Sequence, residues 1–166
     1  MSDFLTDVEE AIPSLRRYAL ALTRDADRAD DLVQDCLERA LAKRRLWRPT
    51  GTVKAWLFTI LHNRFVSDRR REARRGAHGP LEDSRHAASV DDPSVGVQLA
   101  EVGRAIEELS EHQRAILLLV AVEGLTYAET ATVTNLPVGT VMSRLARARR
   151  SLQKSLGAEP KLARVK

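Results

Sequence analysis

Apolar residues recur along this chain at helical spacing, and the clearest run is Ala29, Leu32, Val33, Cys36, Leu37, Ala40 and Leu41. Positions three and four apart share one face of a helix, so the run predicts an amphipathic helix, entered at the N-cap Asp25. Before it, Ile12, Leu15, Ala19 and Leu22 predict a first helix over 8–22, with Pro13 near the first turn, where a missing N–H costs little. Trp47, Pro49 and Gly51 mark a loop over 44–51. Thr52 then caps a long third helix with Val53, Trp56, Leu57, Ile60, Leu61 and Phe65 on its face. That stripe stops before the charged tail Asp68 to Arg75, which must be held by solvent, ion pairs or a partner.

The second half repeats the style with shorter elements. Leu99, Val102, Ile106 and Leu109 predict one helix. Ser110 with Gln113 forms a capping-box pattern for the next, which runs through Ile116, Leu117, Leu119, Val120 and Val122 to Gly124. Thr126 with Glu129 is a second capping box. Between the halves, Gly76, Gly79, Pro80, Pro93 and Gly96 interrupt any periodicity, and so long a stretch inside one compact domain is unusual. The pattern therefore predicts an all-α chain of two small helical domains, 1–75 and 98–157, joined by a flexible linker over 76–97 and followed by a basic tail over 158–166.

Composition narrows the function. Aromatics are 4% of the residues, so aliphatic side chains build the cores, and 27 Lys and Arg stand against 23 Asp and Glu. Residues 1–75 carry 16 basic and 12 acidic groups, 76–97 carry 1 and 4, and 98–166 carry 10 and 7. Two basic blocks flanking an acidic spacer suit a polyanionic partner, although a solvated surface is the commoner fate of charge runs. Cys36 is the single cysteine, and the four histidines lack metal-ligand spacing, so no disulfide, metal site or cofactor is expected. No signal-peptide pattern and no apolar run of membrane-spanning length occurs, which points to the cytoplasm with no membrane insertion. Neither a phosphate loop nor a nucleophile with a placed base is visible, so neither catalysis nor a small-molecule substrate is expected.

Residues 126–133 read as a short helix, Asn135-Leu136-Pro137 as a turn, and 138–150 as a second, basic helix. Val141, Leu145, Ala148 and Leu152 fall inward, whereas Thr140, Ser143, Arg144, Arg147 and Arg150 fall outward. This is the pattern of a helix-turn-helix whose second helix enters the major groove. Ser143 and Arg147 suit base edges; Arg144, Arg149 and Arg150 suit phosphates. Five cations (Arg144, Arg147, Arg149, Arg150 and Lys154) and no acid lie between 138 and 157, against the bland alternative of a hairpin with a solvated face.

Three segments in order, Asp30 to Leu41, Ala55 to Arg64 and Leu136 to Arg149, resemble the extracytoplasmic-function (ECF) sigma factors of bacteria. The wording near Trp56–Asn63 is most similar to the alphaproteobacterial general-stress group. The resemblance implies a region 2-like and a region 4-like domain that bind core RNA polymerase, recognise −10 and −35 promoter DNA, and are restrained by an anti-sigma factor. It implies polymerase docking by Asp31, Leu32, Gln34, Asp35 and Arg39, although the acids there also suit a helix N-terminus. For the −10 element it implies Trp47 and Arg48 in the loop with Asn63 and Arg64 on the third helix, and Arg69, Arg70, Arg71 and Arg74 on phosphates. Packing beneath the loop is an equal reading of Trp47. The family's base-reading positions for the −35 element fall on Met142, Ser143, Ala146 and Arg147, with Met142 and Ala146 departing from the usual types.

Two other readings compete. A conventional operator-binding regulator would use the same helix-turn-helix as a dimer, but it leaves the first domain without a task. A sigma-like decoy for an anti-sigma protein would not need the dense basic face on 138–150.

Overall fold

The computed structural model describes residues 3–76 and 93–157; the expected linker over 77–92 and the tail over 158–166 lie outside the described residues. Three helices form the first unit: α1 (Phe4–Thr23), α2 (Ala26–Ala42) and α3 (Val53–Arg74). Helix α1 begins a turn before the periodicity suggested, so Pro13 sits inside it rather than near its start. Pro13 is exposed, which leaves the carbonyl it cannot serve to water. Helix α2 starts where expected, with the Asp25 side chain accepting from Arg28 N at 3.0 Å. The 3₁₀ turn Arg44–Leu46 leads into the loop, and Thr52 Oγ1 accepts from Ala55 N at 3.1 Å to open α3.

Helix α3 has more apolar surface than one neighbour can cover. Val53, Leu57, Phe58, Leu61 and Phe65 are buried, while Ala55, Trp56 and Ile60 are partly buried around the remaining circumference. A helix that is apolar all round must be packed on several sides, and α3 is packed by α1, α2 and α6. Phe58 and Tyr18 lie off the stripes the sequence suggested, yet both are fully buried, edge to face with ring centroids 5.2 Å apart. Tyr18 Oη is hydrogen-bonded to His62 Nδ1 at 2.9 Å. Cys36 Sγ, also buried, donates to Leu57 O at 3.4 Å.

The second unit comprises α4 (Pro93–Glu107), α5 (Glu111–Leu117), a π turn (Leu118–Val122), α6 (Tyr127–Thr134) and α7 (Val138–Ser155). Helix α4 starts at Pro93, within the stretch read as linker, because proline at a first helical position gives up an N–H that no carbonyl needs. Its Leu99 and Val102 are exposed, and only Ala105, Ile106 and the following Leu109 reach the core. Gly124, at φ +71°, turns the chain after the π segment. Thr126 and Glu129 then form the expected reciprocal capping box. Asn135 closes α6 in the left-handed region (φ 53°), and Val141, Leu145 and Ala148 of α7 are buried against α5 and α6.

The core of the first unit extends into the second. One apolar cluster runs from α1, α2 and α3 into Ala115, Leu118, Leu119, Leu125 and Val133, while a second cluster lies inside the helix-turn-helix unit.

Burial, with the His112 charge adding to it, lowers the His62 imidazole to about 4. An unfolded chain protonates this group near pH 6.5, so the contribution of neutral His62 is full above that pH and lost as pH falls toward 4. The loss amounts to about 3 kcal/mol. Thermal melts across this window should show a shallower acid decline for His62→Gln than for the unaltered chain.

Candidate nucleic-acid and polymerase interfaces

The outward face of α7 is set by its inward one. With Val141, Leu145 and Ala148 at the core, Ser143, Arg147, Arg149 and Arg150 are exposed, and Thr140 and Arg144 are half-buried. Ser143 Oγ donates to Thr140 O at 3.1 Å, and Arg150 Nε donates to Ala146 O at 3.4 Å, so both are held close to the helix. Met142, which is exposed, stands beside Ser143 and extends the face.

Between α2 and α3 lies a groove of about 340 Å³ lined by Asp31, Asp35, Arg64, Asp68 and Arg71 among others. It brings together residues that the sequence assigned to two different tasks. Asp35 pairs with Arg39 at 2.8 Å and with Arg64 at 3.3 Å; Arg64 pairs in turn with Asp68 at 3.3 Å, and Asp68 with Arg71 at 3.9 Å. Alternating charges of this kind fix each other's side chains, so Arg64 braces the groove. Asn63 beside it is exposed. Asp31, Gln34 and Arg39 are exposed on α2, whereas Leu32 is buried with Ala29, Val33 and Cys36, so its side chain turns away from that exposed polar face.

In the loop, Trp47 is half-buried, with its ring centroid 5.8 Å from that of Phe4, which supports the packing reading of that residue. Its neighbour Leu46 is 74% exposed on the 3₁₀ turn and is flanked by exposed Lys43, Arg44, Arg45 and Arg48. Attention to aromatics passed over Leu46; an aliphatic residue inside a run of cations was the available signal. Arg70 and Arg74 are exposed on the α3 tail, while Arg69 is drawn to Glu72 and to Glu111 of α5, the latter at 3.1 Å.

Sequence reasoning also missed Glu123. Its carboxylate is 1% exposed and receives Arg17 in a two-pronged pair, Nε to Oε1 at 2.8 Å and Nη2 to Oε2 at 2.9 Å. Lys54 Nζ donates to the Glu123 carbonyl at 2.8 Å and lies 3.6 Å from Oε2. The hydrogen bond to Glu123 raises the Arg17 pKa above its ordinary value. Arg17 and Glu123 are 106 residues apart, so no local signal links them.

The family model described as "Sigma2 domain of PhyR" matches residues 8–62, and "Sigma-70, region 4" matches residues 99–152. The chain is 39% identical to the ECF RNA polymerase sigma factor EcfG of Rhodopseudomonas palustris, over 92% of this chain and 86% of that one. It is 36% identical to the ECF RNA polymerase sigma factor SigC of Mycobacterium tuberculosis, over 80% and 72%. Among solved structures, it superposes on the sigma factor RpoE of Bartonella quintana, crystallised with the anti-sigma factor NepR, with a TM-score of 0.80 at 33% identity, covering 96% of this chain and 99% of that one. The chain belongs to the ECF RNA polymerase sigma factors, the promoter-specificity subunits of bacterial transcription initiation. Within that family it is similar to the alphaproteobacterial stress type.

The difference between tied and free cations is measurable. Arg64→Met should cost about 1 kcal/mol of stability, the scale of a partly exposed ion pair. Arg70→Ala should leave the melting temperature unchanged and reduce the salt slope of DNA binding by about one.

Proposed function

We propose that this sigma factor divides promoter reading between its two units, with α7 on the −35 element and the loop and α3 on the −10 element. The observation that carries the first assignment is the exposed, acid-free face of Ser143, Arg147, Arg149 and Arg150 on a helix anchored by Val141, Leu145 and Ala148. A rigid helix presenting hydrogen-bonding and cationic side chains along one line matches a recognition helix in the major groove. Ser143 and Arg147 read base edges there, with Arg144, Arg149, Arg150 and Thr140 on the backbone.

On the first unit, Arg48 and Asn63 contact the −10 strand, and Arg70, Arg71 and Arg74 hold its phosphates. Leu46, apolar and ringed by cations, enters the base stack as a wedge, a use of aliphatic side chains known from proteins that unstack DNA. The exposed polar face of α2, with Asp31, Gln34 and Arg39, docks on core polymerase, and Asp35 holds Arg39 in place. RpoE, which the chain resembles over nearly its whole length, was solved with the anti-sigma factor NepR. An anti-sigma factor of the same kind restrains this protein too. It works in the cytoplasm, where polymerase is, and carries out no catalysis itself.

Run-off transcription with purified core polymerase on the cognate promoter tests the reading; no start that depends on this chain would sink it. Arg147→Ala should lower occupancy about 5- to 150-fold and relax preference at one −35 position. For Leu46→Ser, transcription from duplex promoter should fall while a promoter with a premelted −10 bubble restores it. An equal defect on both templates would make Leu46 an ordinary contact.

A further inference from the structure

Where the end of α1 meets α5, the structure leaves a cavity of about 180 Å³. Its charged lining is one-sided: Arg24, Arg28, Arg69 and Arg114 stand against the single carboxylate of Glu111. Two of these arginines have their charge matched. Arg28 pairs with Glu72, and Arg69 pairs with both Glu72 and Glu111. The other two differ. Arg114 is 6% exposed, and its Nε and Nη2 donate to the backbone carbonyls of Ile106, Glu107 and Leu109. Arg24 also donates to the Glu107 carbonyl, and its Nε is buried with no acceptor among the described residues. Carbonyls, not carboxylates, are thus the partners of both guanidiniums among the described residues.

A carbonyl satisfies a donor but does not cancel a charge. Two such cations beside one partly dry cavity repel each other. Burial and then the Arg24 charge lower the Arg114 pKa, against weaker support from Glu111 and Glu107. An anion in the cavity relieves that repulsion and supplies an acceptor where a buried donor lacks one. Arginine suits the task, because its flat fork meets phosphate oxygens in pairs. Three carbonyls already fix the Arg114 fork, so a ligand has little ordering left to impose.

Size and charge narrow the ligand. The cavity has room for about six waters at about 30 Å³ each, below the roughly 300 Å³ at which sites for whole small molecules begin. A phosphate or diphosphate group fits, and a nucleoside stays outside. Four guanidiniums against Glu111 and Glu72 leave two positive charges in excess, which matches a dianion.

We propose that this cavity binds a small phosphorylated anion, either free diphosphate or the diphosphate end of a nucleotide. Arg24 and Arg28 hold it from the first unit and Arg114 from the second. Arg69, braced by Glu72 and Glu111, contributes charge and keeps the Glu111 carboxylate occupied. The lining shares no residue with α7 or with the loop over 44–51, so the site stands independently of the promoter-reading assignment.

Isothermal titration of the full chain with inorganic diphosphate, at fixed ionic strength, should give one site with a Kd below about 1 mM. Arg24→Gln and Arg28→Gln should each weaken binding about tenfold, the scale of one lost charge-assisted hydrogen bond. Arg16→Gln removes the same charge from an exposed position on α1 outside the cavity, and should leave the affinity unchanged. Circular dichroism melts identify a variant that has merely unfolded; if Arg24→Gln does so, Arg28→Gln decides. ADP binding as tightly as diphosphate, with AMP weaker, supports the site and makes a nucleotide the source. Diphosphate binding without ADP binding supports it with the free anion as source. No saturable binding of diphosphate or ADP would overturn the proposal. So would an equal loss in Arg16→Gln and Arg24→Gln, which would reduce the effect to overall charge.

Discussion

Helix α3 has to be covered on more than one side, and most of the architecture follows from that need. Its N-terminal half carries Val53, Leu57, Phe58 and Leu61, all buried, with Trp56 and Ile60 partly so. Fully burying a side chain of this size contributes about 1.5–3 kcal/mol, so leaving one flank in water would forfeit several such terms. Helices α1 and α2 cover part of the surface, and α6 covers the rest. The C-terminal half of α3 has no such demand. It runs out as a charged rod whose arginines are free to meet a polyanion or are braced by neighbouring carboxylates.

Charge is sorted on the same frame. Carboxylates of the second unit gather at the seam with α1 and α3, and cations gather along α7. A buried carboxylate such as Glu123 is costly unless fully met by donors, and Arg17 with Lys54 meets it from two helices at once. The seam is therefore specific in register as well as adhesive: a slide of one helical turn would bury the charge without its partners. The outward face of α7, by contrast, needs only a straight helix and a dry underside, which α5 and α6 supply.

How much of this was legible depended on sequence distance. Caps are written within three residues, so Asp25, Thr52 and the Thr126–Glu129 box could be read directly. The inward stripe of α7 and the helix-turn-helix geometry were legible for the same reason. Periodicity, however, reports the face a helix prefers and not how many neighbours it has. It thus missed Tyr18 and Phe58, and it placed Leu99 and Val102 in a core they do not reach. The resemblance placed Arg64 on the −10 face, and only the fold shows that the carboxylates of Asp35 and Asp68 also hold it. The pairing of Arg17 with Glu123 spans 106 residues and could only emerge from the fold.

Cys36 carries a further consequence. It is the only thiol in these 166 residues, sits at zero exposure, and is pushed up to about 12 by burial with Asp35 adding to it. Oxidants react with thiolates, and at neutral pH this sulfur is a protonated, shielded filler of the α2–α3 contact. These residues therefore offer no reactive thiol at neutral pH. An oxidant signal written in cysteine chemistry would have to be registered on another molecule and reach this protein as a change of binding partner.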